Sequence, residues 1–128
     1  MQLILVNPCH VRLRADDDVV VVPPTIGAVQ LLAGSLALCV ACAVRQYATV
    51  AQFRLDLLEV DVSWNEHAQD DMHDLAIMLR VPPSVTPSRY AALLRIARQC
   101  PVSARLRNGV ANTPQIMVIH EERHVVQA

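Results

Sequence analysis

The sequence predicts an α+β fold in which strands pack around two helices, with the helix Ile26–Ala48 at the centre. Three observations carry that prediction. The stretch Ile26–Tyr47 (IGAVQLLAGSLALCVACAVRQY) has no charged residue before Arg45, so it offers no polar face to water and needs burial. Segments on both sides alternate apolar and polar residues with a period of two, the pattern of half-buried strands. A later segment places Tyr90, Leu93, Leu94, Ile96 and Ala97 on one helical stripe.

The 128 residues suffice for one domain with its own core. With 53% hydrophobic residues, a mean hydropathy of +0.31 and only 3% aromatics, that core is built from Val, Leu, Ile and Ala. So apolar a small domain is expected to hide surface in an oligomer. The net charge of −1, from 11 basic and 12 acidic residues, argues against nucleic-acid binding, which needs a clustered positive surface. Four cysteines are too few for a disulfide scaffold, and the start MQLILVNPCHVRLR lacks the features of a signal peptide. The expected setting is therefore the reducing cytoplasm, where a thiol is metal-binding, catalytic or inert.

The uncharged run Ile26–Val44 is just long enough to cross a membrane. Gly27, Gly34, Ser35 and many alanines instead make a thin helix suited to close packing against protein. Both flanks read as β-structure, and a single span would leave them on opposite sides with neither able to close a core. The expectation is no membrane partner.

Taken in order, Gln2–Val6 is a short strand that Asn7-Pro8 breaks. Val11–Arg14 is half-buried, Ala15–Asp18 is a polar turn, and Val19–Val22 reads as a strand buried on both faces. Val11–Val22 is thus a predicted hairpin, and the acidic triplet a solvated turn. Pro23-Pro24 ends it, and Thr25 is the expected N-cap of the long helix. Phe53–Glu66 alternates strictly but slips by one at Leu58-Glu59, which predicts a β-bulge or a kinked strand. A polar turn at His67–Asp71 leads to a strand over Met72–Arg80. Thr86 and Pro87 fit the N-cap and first position of the second helix, and Cys100-Pro101 interrupts it. Gln115–His120 is a last strand, and Glu121–Ala128 a polar, frayed tail. His67 and His73 flank a turn; His120 and His124 lie in or near the tail.

The residues alone leave the thiols open. Cys39 and Cys42 share one face of the long helix, but a thioredoxin-type C-x-x-C belongs at a helix N-terminus. Structural zinc wants paired ligands on turns, and Cys39, Cys42 and Cys100 supply only one pair. Buried cysteine also serves as a small hydrophobe. Arg45 reads equally as a helix C-terminal cation favouring the dipole or as part of a site.

Two patterns together carry a resemblance. The apolar helix reaches Cys39, with Arg45 six residues on and Tyr47-Ala48 close behind. Further along, a second helix ends in Cys100-Pro101-Val102-Ser103. With the Val62-Ser63-Trp64 segment between them, the chain from about Thr25 to Ile119 resembles the OsmC/Ohr family of thiol-dependent hydroperoxide reductases. The resemblance implies a single OsmC-like domain over residues 1–128 with a shortened N-terminal strand region. Its antiparallel or mixed sheets would surround the long helix in an intertwined homodimer.

The resemblance also implies a mechanism. Cys39 attacks an organic hydroperoxide and becomes a sulfenic acid, Cys100 condenses with it to a disulfide, and an external dithiol reduces the pair. No metal or bound cofactor is implied. Where the family carries a Glu early in the long helix, this chain has Gln30, with Val29 before it. The family's thiolate-stabilising Arg has Arg12 or Arg14 as candidates here. Without a cation beside it, a buried Cys39 keeps a raised pKa. Cys42 is either an alternative resolving thiol or packing. The alternative function is a non-catalytic relative that binds a small apolar ligand at the dimer interface.

Overall fold

The computed structural model of the protein describes residues 1–66, 72–108, 117–119 and 125–127. Its centre is an antiparallel sheet of order β1-β2-β3-β4, formed by β1 (Gln2–Asn7), β2 (His10–Ala15), β3 (Leu58–Glu66) and β4 (Met72–Arg80). The long helix α1 (Ala28–Val50) connects β2 to β3 and lies across both. The pleat sends alternate residues to opposite faces. Val11, Leu13 and Ala15 of β2 therefore join Leu58, Val60, Val62 and Trp64 of β3 beneath the helix. Opposite them, Leu36, Val40 and Val44 of α1 have no exposed surface. Each such side chain stabilises the fold by roughly 1.5–3 kcal/mol on burial.

Several expected boundaries move. The first hairpin is β1–β2, with Leu3 opposite Leu13 and Leu5 opposite Val11. The Val19–Val22 stretch is not a buried strand. It runs parallel to β1 through Leu3 N–H to Val21 O and Val21 N–H to Met1 O, and its four valines are 39% to 69% exposed. The N-cap of α1 is Gly27 rather than Thr25. Its N–H donates to Gln30 Oε1 at 2.9 Å.

The helix also outlasts Ala48. It ends with Gln52 N–H on Thr49 O and Phe53 N–H on Ala48 O, the bonding of a Schellman motif. Gln52 takes the left-handed backbone there, at φ 59°. The slip at Leu58-Glu59 marks the start of β3, not a bulge; Phe53–Leu57 is irregular chain. The register shift lies instead between Ser63 and Asn65.

Thr86 and Pro87 open a 3-10 turn, Pro87–Arg89, that feeds α2 (Tyr90–Arg98). Leu93 and Ala97 turn inward, whereas Tyr90 and Leu94 are exposed. Cys100-Pro101 does more than interrupt this helix: Pro101 begins a new one, α3 (Pro101–Asn108). Beyond it, β5 (Met117–Ile119) pairs antiparallel with β6 (Val125–Gln127), so the tail carries a strand. The turn at His67–Asp71, and His67, His120 and His124, lie outside the described residues.

Candidate active site

Three helices converge on the thiols. Cys39 is half-buried on α1, Cys42 is exposed one turn on, and Cys100 sits at the break between α2 and α3 with 1% of its surface exposed. The break is short. Gln99 N–H still donates to Arg95 O and Ile96 O, Cys100 N–H reaches Ala97 O, and Ala104 N–H already donates to Cys100 O at 3.1 Å. Cys100 is therefore the N-cap of α3, and Pro101 occupies the first helical position, where no N–H is needed.

The first turn of any helix has N–H groups without intrahelical partners. The next such group in α3 belongs to Val102, and it lies near enough to the Cys39 sulfur to favour its thiolate. The Cys100 thiol is likewise a near neighbour of Cys39 and acts on its ionisation. The fold thus brings together the two cysteines that the sequence nominated, and adds a helix N-terminus aimed at Cys39. That element has a sequence signal: proline directly after a capping position is as much a start as a stop.

The charge around Cys39 is another matter. Burial pushes its thiol up, the Cys100 thiol adds to this, the Val102 N–H opposes it, and the nearby Cys42 thiol raises it further. The net direction is upward, because one backbone dipole does not offset the desolvation of a thiolate. Neither candidate arginine relieves it within the protomer. Arg12 and Arg14 alternate with the core-facing Val11 and Leu13, so they stand on the sheet face opposite α1.

Arg12 is moreover engaged there. It donates from Nε to Asp61 Oδ1 at 2.9 Å and from Nη2 to Asp61 Oδ2 at 3.1 Å, with Glu59 at 3.3 Å. Arg80 and His10 approach the same carboxylate at 3.2 Å. Burial pushes Asp61 up, but Arg12, His10 and Arg80 outweigh it and hold the carboxyl below its ordinary value.

Gln30 stands at the start of α1, nine residues before Cys39, about 13 Å away by the helical rise. Its amide caps Gly27 and donates from Nε2 to Pro8 O at 3.1 Å, tying the helix to the β1–β2 turn. A glutamate could not make the second bond. Arg45 lies well before the helix end, so it is not a C-terminal cation. It donates to Asp17 O at 3.2 Å and meets Asp18 at 3.4 Å, and so shares with Cys42 a groove of about 470 Å³ also lined by Leu38, Gln46 and Thr49. A second, more apolar groove of about 530 Å³ runs between β4 and α2, lined by Ile77, Leu79, Val81, Tyr90, Leu93 and Leu94 among others. Among the described residues no group of three or more His, Cys, Asp or Glu could hold a metal ion.

Comparison with curated proteins and with solved structures gives no significant match. The family model for OsmC-like protein matches residues 25–114, from just before α1 to beyond α3. It spans both Cys39 and Cys100. The match covers more than two thirds of the sequence, and the chain belongs to the OsmC-like family.

Proposed function

The family includes peroxidase-type members. We propose that this chain reduces organic hydroperoxides, with Cys39 as the attacking thiol, Cys100 as the resolving thiol, and a homodimer as the working form. The single observation that carries the reading is the adjacency of the Cys39 and Cys100 thiols at the N-terminus of α3, close enough that Cys100 raises the Cys39 pKa. Cys39 is the more accessible of the pair, as the thiol that meets substrate must be. Its thiolate attacks the terminal oxygen of the hydroperoxide; an S–O bond forms, the O–O bond breaks, and the alkoxide leaves as alcohol after taking up a proton. Cys100 then attacks the sulfenic sulfur; an S–S bond forms, and hydroxide leaves with the Cys100 proton as water. An external dithiol, of the kind a reducing cytoplasm supplies, returns the pair to thiols. Neither step needs a metal or an organic cofactor.

The test is a thiol count before and after one equivalent of cumene hydroperoxide. Wild type is expected to lose two thiols, Cys39→Ser none, and Cys100→Ser to stop at a Cys39 sulfenic acid or to find another thiol. An unchanged count in folded wild type would refute the proposal.

One observation favours a second reading, a non-catalytic relative that binds a small apolar ligand: the groove between β4 and α2 is open and apolar, while no cation among the described residues acts on Cys39. On that reading the thiol count stays constant. A fluorescent apolar probe then binds, and a charge placed at Leu94 abolishes its binding.

A further inference from the structure

The oxidised state poses an access problem. Reduction requires a thiolate to attack one sulfur of the Cys39–Cys100 disulfide. Cys100 is closed to solvent and Cys39 is half-buried, and only Cys42 is exposed. Accessibility therefore rises in the order Cys100, Cys39, Cys42. The three thiols form one connected series: Cys100 and Cys42 both lie close enough to Cys39 to act on its charge.

We propose that Cys42 is a relay thiol that carries the disulfide from the interior to the surface, a step that rests on the hydroperoxide reductase reading above. Cys42 lies three residues beyond Cys39 on the same helix. An ideal helix sets such Cα atoms about 5 Å apart, inside the range of about 4.4–6.8 Å that a disulfide spans. The Cβ atoms of such a pair lie about 5–6 Å apart, beyond the usual disulfide value of about 3.8 Å. The bond forms only as the local turn yields, which suits a transient species.

The groove outside Cys42 is built for an incoming thiol. It is open to solvent, and Arg45 lines it, three residues from Cys42. Asp18 and Gln46 give the same groove polar edges.

The step balances without a further oxidant. The Cys42 thiol gives its proton to water, and its thiolate attacks the Cys39 sulfur. The Cys39–Cys42 bond forms, the Cys39–Cys100 bond breaks, and Cys100 leaves as a thiolate that takes up a proton. One disulfide replaces another. The external dithiol then attacks the exposed Cys42 sulfur, displacing Cys39. Its second thiol closes on the mixed disulfide, releases Cys42 and leaves the dithiol oxidised.

The test uses diamide rather than peroxide to form the disulfide, so it does not depend on peroxidase activity. Full-length wild type and Cys42→Ser are oxidised, then reduced with dithiothreitol and sampled by acid quench, N-ethylmaleimide labelling and peptide mapping. Cys42 is exposed, so its serine variant is expected to keep the fold, and circular dichroism checks this. Wild type should show a transient Cys39–Cys42 disulfide with Cys100 labelled. Cys42→Ser should lose two thiols to diamide as wild type does, but be reduced at least about tenfold more slowly. Cys100→Ser should form the Cys39–Cys42 disulfide directly and be reduced as fast as wild type. Equal reduction rates for wild type and Cys42→Ser, or no Cys39–Cys42 disulfide in Cys100→Ser, would overturn the relay. A failure of peroxide alone to consume thiols, with the diamide results intact, would overturn the peroxidase reading and leave the relay standing.

Discussion

Cys39 is poised by geometry more than by charge. The Val102 N–H favours its thiolate, yet burial and its thiol neighbours raise its pKa above the ordinary thiol value. The rate at which it is alkylated should therefore keep rising with pH beyond the point where an exposed thiol levels off. Each neighbour has a definite sign. Serine in place of Cys100 can donate to the Cys39 thiolate but cannot itself become a competing anion near neutral pH. Cys100→Ser should thus move the Cys39 half-point to lower pH. Cys42→Ser should move it the same way by less, because only a charge effect is removed. Iodoacetamide labelling followed peptide by peptide, from neutral to alkaline pH, measures both shifts. A half-point that rises in Cys100→Ser would show that the Cys100 thiol favours the thiolate. The raised pKa of a buried Cys39 was readable from the sequence; the parts played by Val102 and Cys100 were not, since Cys39 there is merely mid-helix. The Val102 N–H becomes relevant only because α3 starts at Pro101, and a proline after a cysteine reads as easily as a stop.

At the scale of elements, two positions on α1 should respond to substitution in opposite directions. Gly34 admits the side chain of Leu3 from β1: a Cβ there would stand 2.5 Å from Leu3 Cδ2. Leu3 is itself buried, so its rotation disturbs packed neighbours. Gly34→Ala gains about 1 kcal/mol of helix propensity but meets an overpacking cost of about 1–3 kcal/mol. The expected net loss is roughly 1 kcal/mol. Gln52 presents the converse. It holds the left-handed position that ends α1, where glycine is the usual occupant. Gln52→Gly should raise stability by about 0.5–1 kcal/mol, since relief of the steric cost exceeds the added chain entropy. Urea unfolding of both variants checks the pair; a stabilised Gly34→Ala would mean that Leu3 yields freely.

The same elements show why some of the fold was legible and some was not. An uncharged run announces a buried helix whatever covers it, and α1 is where it was expected. Period-two alternation is less specific. Phe53 and Leu55 are half-buried between exposed neighbours in irregular chain that begins with the Phe53 ring under Arg89, 4.3 Å from its guanidinium. That chain mimics a strand. Four consecutive valines mimic a doubly buried one, yet Val19–Val22 lies along the outer edge of β1, because β1 pairs with β2 instead.

For the whole molecule, the question is what covers the rest of α1. The helix is long and apolar enough to cross a membrane, but Ala33, Leu36, Ala37, Val40, Ala41 and Val44 are already buried by the sheet and the smaller helices. What remains open is a patch made by Leu31 and Leu32 of α1 and the Val19–Val22 stretch beside β1. Leu31 and Leu38 face Val20 and Val22 across a small cleft. Contiguous apolar surface of this kind is unusual on a monomer, and a second copy of the chain would cover it symmetrically.

The groove beside Cys42 adjoins this patch but has Asp18, Arg45, Gln46 and Thr49 around it, a polar rim that an interface can leave wet. A homodimer built on the apolar part therefore leaves the relay thiol reachable. Sedimentation of the purified chain is expected to give twice its 14.1 kDa mass. Leu31→Glu should shift it towards the monomer, because a carboxylate in a dry interface is left unpaired, while Gln46→Glu on the polar rim should not. N-ethylmaleimide should label Cys42 in the wild-type dimer as readily as in the Leu31→Glu monomer. Protection of Cys42 in the dimer alone would place the two-fold axis over the groove, and a wild-type monomer in solution would leave the Leu31 and Val20 surface for some other molecule to cover.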